Sequence, residues 1–247
     1  MSRHIAMWSG PRNISTALMR SFGSRSDAFV SDEPLYAAYL QLTGKPHPMA
    51  AEIIATHESD WERVIGRLTG PAPKDKTIWY QKHMAHHLLP EISRTWLPQV
   101  EHAFLIREPR PMLASLAKKL DTVSLEDTGL PQQVELFQRL REQDEQLPPV
   151  IVANDLLADP RGILAALCGR LGVEFDEAML SWEPGPRDTD GCWGPVWYER
   201  TYESTGFSPP RVKEDQLPQF LEPLARDCAE LFTELAQHRI KPATSTS

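Results

Sequence analysis

Residues 9–16 read Ser9-Gly10-Pro11-Arg12-Asn13-Ile14-Ser15-Thr16. A glycine–proline turn, one cation and two hydroxyls stand just ahead of an apolar pattern at helical spacing. Backbone N–H groups at a helix start, hydroxyl donors and a guanidinium together make a cradle for an anion. The stretch is not a Walker A loop, because GxxxxGK[ST] occurs nowhere in the chain. A plainer reading makes Ser15 or Thr16 a helix cap and Arg12 a surface charge. A second set lies at Arg107-Glu108-Pro109-Arg110 with Ser115 further on. An arginine at the end of a buried parallel strand points into the crevice where ligands bind. Its planar fork gives two parallel hydrogen bonds to phosphate. The plainer reading pairs Arg107 with Glu108.

These residues need elements to hold them. His4–Trp8 is a short apolar run entering a turn, and Ile14, Ala17, Leu18 and Phe22 then repeat at helical spacing. Ala28–Val30 reads as a second strand ending at Ser31-Asp32-Glu33-Pro34, followed by a helix over Leu35–Leu42. A helix is expected around Trp61–Leu68, a strand at Thr77–Gln81, and a buried strand at Ala103–Ile106. Pro111–Leu120 reads as a helix with proline at its first position. Further on come a polar amphipathic helix (Gln132–Gln146), a strand (Pro149–Ala153) and a helix capped by Asp159-Pro160 that Gly172 closes. Residues 181–207, rich in Trp, Gly, Pro and Tyr, are expected as an ordered loop over the site. Leu217–Arg239 is expected as a helical segment and residues 242–247 as a frayed tail. Strands alternating with helices predict an α/β protein with a mainly parallel sheet flanked by helices, as one domain over residues 1–241.

Composition narrows the function classes. The 247 residues carry 26 Lys+Arg against 34 Asp+Glu, a net charge of −8, which argues against a nucleic-acid coat but not against a small anion. No apolar run approaches a membrane span, and the start turns polar too soon for a signal peptide. Three widely spaced cysteines, Cys168, Cys192 and Cys228, indicate neither a disulfide framework nor a zinc ribbon. A reducing cytoplasm is the expected compartment.

Taken together, these segments resemble the sulfotransferases that use 3′-phosphoadenosine 5′-phosphosulfate (PAPS). Pro11-Arg12-Asn13-Ile14-Ser15-Thr16 is similar to their 5′-phosphosulfate loop, and Leu105-Ile106-Arg107-Glu108-Pro109-Arg110 with Ser115 to their 3′-phosphate motif. Val150–Leu157, then Asp159-Pro160 and Leu171-Gly172, resembles a third recurrent segment. The overall look is of the bacterial and plant sulfotransferase-like group, some of whose members are fused to or named after branched-chain aminotransferases. Two positions depart: Arg12 replaces the common lysine and Ile14 the common glycine. The family's usual Arg-Lys-Gly ending is absent.

The resemblance implies a three-layer P-loop-NTPase-like fold, PAPS as donor, and sulfuryl transfer to a hydroxyl or amine of a small-molecule acceptor without a metal. Arg12 would face the leaving bridge oxygen, Ser15 and Thr16 the 5′-phosphate, and Arg107 and Ser115 the 3′-phosphate. Pro11, Asn13 and Ile14 complete the donor loop. No nucleic acid or membrane partner is implied, and a homodimer is compatible. The acceptor needs a base. His83, in a segment similar to the Lys-x-His stretch of cytosolic sulfotransferases, and Glu33, in a segment resembling the Glu-Pro of some bacterial members, remain open as that base. His83 and His87 stand four apart, as a metal pair on one helix face would, but a third ligand is missing. His86 and His87 are expected on a helix surface. Of the aromatics Trp182, Trp193, Trp197, Tyr198, Tyr202 and Phe207, half are expected as packing and the rest as walls for adenine or acceptor; Arg200 would add charge near the 3′-phosphate. Two alternatives stand beside this reading: a P-loop kinase or nucleoside triphosphatase, and a non-catalytic nucleotide-binding protein on the same fold.

Overall fold

A computed structural model describes residues 2–143, 146–209 and 217–243. In chain order the elements are β1 (Arg3–Ser9), α1 (Ser15–Gly23), β2 (Ala28–Asp32), α2 (Tyr36–Thr43), α3 (Ala50–Thr56), α4 (Trp61–Leu68) and β3 (Ile78–Met84). There follow β4 (Glu101–Ile106), α5 (Pro109–Leu116), α6 (Leu130–Gln143), β5 (Val150–Val152), α7 (Ala153–Ala158) and α8 (Pro160–Arg170). Two short helices, α9 (Gly194–Trp197) and α10 (Glu199–Tyr202), precede α11 (Glu222–Ala236). Among the described residues one sheet has the order β2-β3-β1-β4-β5. The β2–β3 pair runs parallel with Asp32 opposite Lys82, and the β4–β5 pair runs parallel with Ile106 opposite Val152. The fold is therefore α/β, with a parallel central sheet flanked by helices, as the alternating pattern predicts.

By compactness the chain divides into two units. The first holds Met1–Met7, Thr16–Glu101 and Asp176–Gly206; the second holds Trp8–Ser15, His102–Phe175 and Phe207–Ser247. In the first, Leu18, Met19 and Phe22 of α1 are buried, and the Phe22 ring stacks on Tyr80 of β3 with centroids 4.3 Å apart. Asp60 caps α4 by accepting from the backbone N–H groups of Glu62 and Arg63. Arg20 and Asp190 form a bidentate pair at 2.6 Å for both bonds, each side chain 3% exposed. In the second unit α11 packs against α5, α6 and β5. Asp159 caps α8 through the N–H of Gly162, and Gly172 (φ 64°) ends that helix as expected.

Several boundaries differ from expectation. The helix after β4 starts at Pro109, two residues before Pro111, and stops at Leu116. Pro109 brings a helix-ready φ and loses nothing by lacking an N–H in the first turn. The strand expected over Pro149–Ala153 keeps only its three central residues; Ala153 already opens α7, whose Ala153 and Leu156 are buried. β3 runs on to Met84, so Lys82 and His83 lie within the strand and not after it. Residues 181–207 carry α9, α10 and an antiparallel bridge between Ser181 and Gly206. Of the expected tail, residues 244–247 lie outside the described residues, as do 144–145 of the helix expected to reach Gln146. Among the described residues no helix is long and apolar enough to cross a membrane.

Candidate functional site

The turn after β1 is built around close backbone approach. A Cβ on Gly10 would lie 2.3 Å from the carbonyl oxygen of Thr128, so this position admits only glycine without a shift. Arg12 (φ 60°) and Ile14 (φ 61°) both sit in the left-handed region. For a β-branched residue this is costly, on the order of 1–2 kcal/mol. The loop thus holds at Ile14 the conformation that a glycine would adopt freely. The Asn13 side chain is buried and ties the loop down. One amide orientation reaches Leu105 O at 3.3 Å; the other reaches Pro11 O at 3.1 Å and Gly10 N at 3.3 Å. Ser15 and Thr16 open α1 as buried hydroxyls.

Arg107 directly follows the last residue of β4, and its Nη1 donates to the carbonyl of Arg12 at 2.7 Å. Arg12 Nε donates to Ser115 Oγ of α5 at 3.0 Å. Three residues from two separate sequence motifs therefore meet: the loop cation, the strand-end arginine and the helix serine. The resemblance implies Arg12 at the leaving oxygen and Ser115 at the 3′-phosphate; in the structure the two side chains are in direct contact. Glu108, the partner in the plainer reading of Arg107, is the residue preceding α5.

A second constellation lies in the other unit, at the end of β2. Lys82 Nζ, with its side chain 1% exposed, donates to Asp32 Oδ1 (2.8 Å), Glu33 Oε1 (2.6 Å) and Tyr198 OH (2.7 Å). The parallel register that sets Asp32 opposite Lys82 produces the first of these bonds. Glu33 has φ 42°, its N–H donates to Lys82 O, and its carbonyl accepts from Tyr36 N. Strained residues of this kind cluster at functional sites. Gly191 N–H donates to Asp32 Oδ2 at 3.1 Å, and a Cβ there would lie 2.2 Å from the Trp193 ring.

Burial raises the proton affinity of Glu33; the Lys82 ammonium opposes the shift and Asp32 adds to it, leaving Glu33 above its ordinary range. Burial works against the Lys82 charge, but Asp32 and Glu33 outweigh it and hold the ammonium more firmly than usual. Burial, then Asp32 and Glu33, push the Tyr198 phenol well up. A buried carboxylate that keeps its proton more readily than usual, beside a fixed cation, is suited to taking a proton from a substrate.

The histidines fall elsewhere. His83 alternates with Lys82 along β3, so the two side chains leave opposite faces of the strand. Its Nε2 lies 3.4 Å from Gln81 Oε1 and its ring 6.0 Å from Trp96, fully buried. His87 lies in the 3-10 turn Ala85–His87, so no shared helix face links it to His83. His86 and His87 are not surface residues: both are buried among aromatics, His87 stacked on Tyr36 at 4.6 Å. Burial, then the neighbouring histidines, keep His87 well below its ordinary value. Trp182, Trp193 and Tyr198 are buried, and Trp193 and Tyr198 share an apolar cluster with Tyr36, Tyr39 and Ile53. Arg200 is exposed on α10. Asp32, Lys82 and Tyr198 are the residues that sequence reasoning did not single out as a group. Their shared signal is strand pairing, which spacing along the chain does not display.

The model of the sulfotransferase domain family matches residues 3–229, and the chain belongs to that family. Branched-chain-amino-acid aminotransferase-like protein 2 of Arabidopsis thaliana is 36% identical over 234 residues, covering 95% of this chain and 41% of that protein. The like-named protein 1 is 35% identical over the same length, 42% of its own. The chain thus spans about two fifths of the length of the curated relatives it matches. Among solved structures, the sulfotransferase domain of the Synechococcus PCC 7002 olefin synthase superposes with a TM-score of 0.58 at 17% identity, over 94% of this chain and 96% of that one. A sulfotransferase from Alicyclobacillus acidocaldarius gives 0.56 at 9% identity, over 97% and 98%. These likenesses establish a shared P-loop-like α/β fold.

Proposed function

We propose that the chain transfers a sulfuryl group from PAPS to a hydroxyl of a small-molecule acceptor. The observation that carries this reading is the meeting of Arg12, Arg107 and Ser115 beside a strained, glycine-anchored loop. Two guanidiniums and a hydroxyl exceed what one helix start needs, and they suit a ligand with more than one phosphate. Arg107 and Ser115 bind the 3′-phosphate. The loop N–H groups with Ser15 and Thr16 bind the 5′-phosphate, and Arg12 stabilises charge on the leaving oxygen. Arginine keeps its proton, so it serves as a fixed charge and not as an acid.

Glu33 is the base. It combines strand-end placement, a bond from Lys82 and a raised proton affinity. The acceptor's O–H proton passes to Glu33 as the acceptor oxygen bonds sulfur. The sulfur–oxygen bond to the 5′-phosphate breaks, and adenosine 3′,5′-bisphosphate leaves with the electron pair. The transition state is loose, as in phosphoryl transfer, so positioning and charge complementarity carry the catalysis. His83, buried on the other face of β3, serves structure in this reading.

The test is transfer of radiolabelled sulfate from PAPS to a panel of hydroxylated acceptors. Labelled product that is lost in Glu33→Gln and retained in His83→Gln supports the assignment. Loss in His83→Gln with retention in Glu33→Gln reverses the base. Magnesium-dependent ATP hydrolysis without sulfuryl transfer favours the kinase or triphosphatase alternative.

A further inference from the structure

Glu33 holds its two carboxylate oxygens in different surroundings. Oε1 accepts from Lys82 Nζ at 2.6 Å and lies 3.2 Å from Tyr198 OH. Among the described residues no hydrogen bond reaches Oε2, and the side chain is 11% exposed. The donors around Oε1 are fully committed. The three hydrogens of Lys82 go to Asp32, Glu33 and Tyr198. The Tyr198 oxygen receives Lys82 and also Trp193 Nε1 at 2.8 Å, which fills its lone pairs. Its own hydrogen then goes to Asp32, whose oxygens lie at 2.8 and 2.9 Å, nearer than Glu33. Asp32 is fixed in turn by Gly191 N–H.

We propose that Lys82, itself held in place by Tyr198 and Asp32, is a positioning residue that ties one oxygen of Glu33 and leaves the other to take the acceptor's proton. The inference rests on Glu33 being the base. The charge count explains why the network suits the task. Lys82 contributes +1 and the two carboxylates −2, so the buried group carries one net negative charge. One proton arriving at Oε2 brings it to zero. The acceptor O–H bond breaks, its electron pair goes to the new oxygen–sulfur bond, and its proton stays on Glu33 while Lys82 keeps its grip on Oε1. A rigid hold of this kind limits the rotamer freedom that a reacting carboxylate would otherwise lose. It also makes residues 191–198, which supply Gly191, Trp193 and Tyr198, part of the machinery and not only a cover.

The test needs neither donor nor acceptor. The full chain is labelled with 13C at the glutamate carboxyl carbons, and Glu33 is assigned by the signal missing in Glu33→Gln. Its titration is followed by NMR in the unchanged protein and in Lys82→Met, Tyr198→Phe and Asp32→Asn. The ionisable groups facing Glu33 are Asp32 of β2, Lys82 of β3, Tyr36 of α2 and Tyr198. Lys82→Met is expected to move the Glu33 midpoint up by about 1–3 pH units, and Asp32→Asn to move it down. Tyr198→Phe should move it up by less than Lys82→Met does. Opposite directions for Lys82→Met and Asp32→Asn support the network; equal directions, or an unmoved midpoint, overturn it. Should Lys82→Met fail to fold by near-UV circular dichroism, Tyr198→Phe against Asp32→Asn makes the same opposite-sign test. A failed titration leaves donor binding and label transfer untouched, and absent label transfer leaves the titration untouched, so the two failures are distinguishable.

Discussion

Lys82 Nζ stands 2.6 Å from Glu33 Oε1 and 2.8 Å from Asp32 Oδ1, a single ammonium shared by two consecutive carboxylates in a nearly dry environment. One cation cannot neutralise both, and the fold carries the surplus charge. A buried charge without its own partner costs stability. That cost falls on Glu33, whose proton affinity is raised by burial and by Asp32.

A stability prediction follows with a definite sign. Glu33 has a folded pKa above its unfolded value near 4.5. The native state therefore binds more protons, and stability falls as pH rises from that value through the folded pKa. Glu33→Gln removes the ionisable group while keeping its shape. Its melting temperature should exceed that of the unchanged protein at pH 8, and the difference should shrink as pH falls toward 4.5. The same variant should lose about 10²–10⁴-fold in transfer rate, as expected for a missing general base. A variant that is less stable at pH 8 would contradict the account.

Arg20 and Asp190 are a second buried pair, matched in charge and bidentate. Asp190 Oδ2 also accepts from Arg187 N–H. Asp190→Asn leaves the Arg20 guanidinium buried without its counterion, a loss of about 3–5 kcal/mol. Urea unfolding should show this as a lower midpoint at unchanged slope. A loss under about 1 kcal/mol would show that the pair behaves like a surface one.

Two glycines are predicted to be intolerant for different reasons. Gly191→Ala drives a methyl into the Trp193 ring and disturbs the N–H that holds Asp32. Overpacking of this kind costs about 1–3 kcal/mol, and thermal melting should show it. Gly10→Ala drives its methyl against a backbone carbonyl, which cannot rotate away as a side chain can. Its larger effect should be on affinity for adenosine 3′,5′-bisphosphate, measured by calorimetry, because the turn feeds the anion loop. Affinity unchanged in Gly10→Ala would argue that the loop does not bind the nucleotide.

The α/β class was legible because short apolar strands alternate with stretches whose apolar residues repeat at helical spacing, as in Ile14, Ala17, Leu18 and Phe22. Pro11–Thr16 and Arg107 with Ser115 could be picked out because turn, cation and hydroxyl types sit close together in sequence. The contact of Arg12 with Ser115 was not legible, since it joins residues 103 positions apart. Nor was the Asp32–Lys82–Tyr198 group. It depends on the register of β2 against β3 and on where residues 191–198 return, and neither is encoded in local spacing. His86 and His87 misled for a related reason. Their polar types suggest a surface, but the rings of Tyr36 and Tyr39 pack against them in the fold.

Recognition of a nucleotide by its 3′-phosphate is the centre of the proposed chemistry. Calorimetric titration of the protein with adenosine 3′,5′-bisphosphate and with AMP measures this directly. A charge-assisted hydrogen-bond set contributes about 1.5–3 kcal/mol, so the bisphosphate should bind roughly 10- to 100-fold more tightly than AMP. Arg107→Ala should erase that preference. Equal affinity for the two nucleotides, or a preference that survives Arg107→Ala, would contradict it.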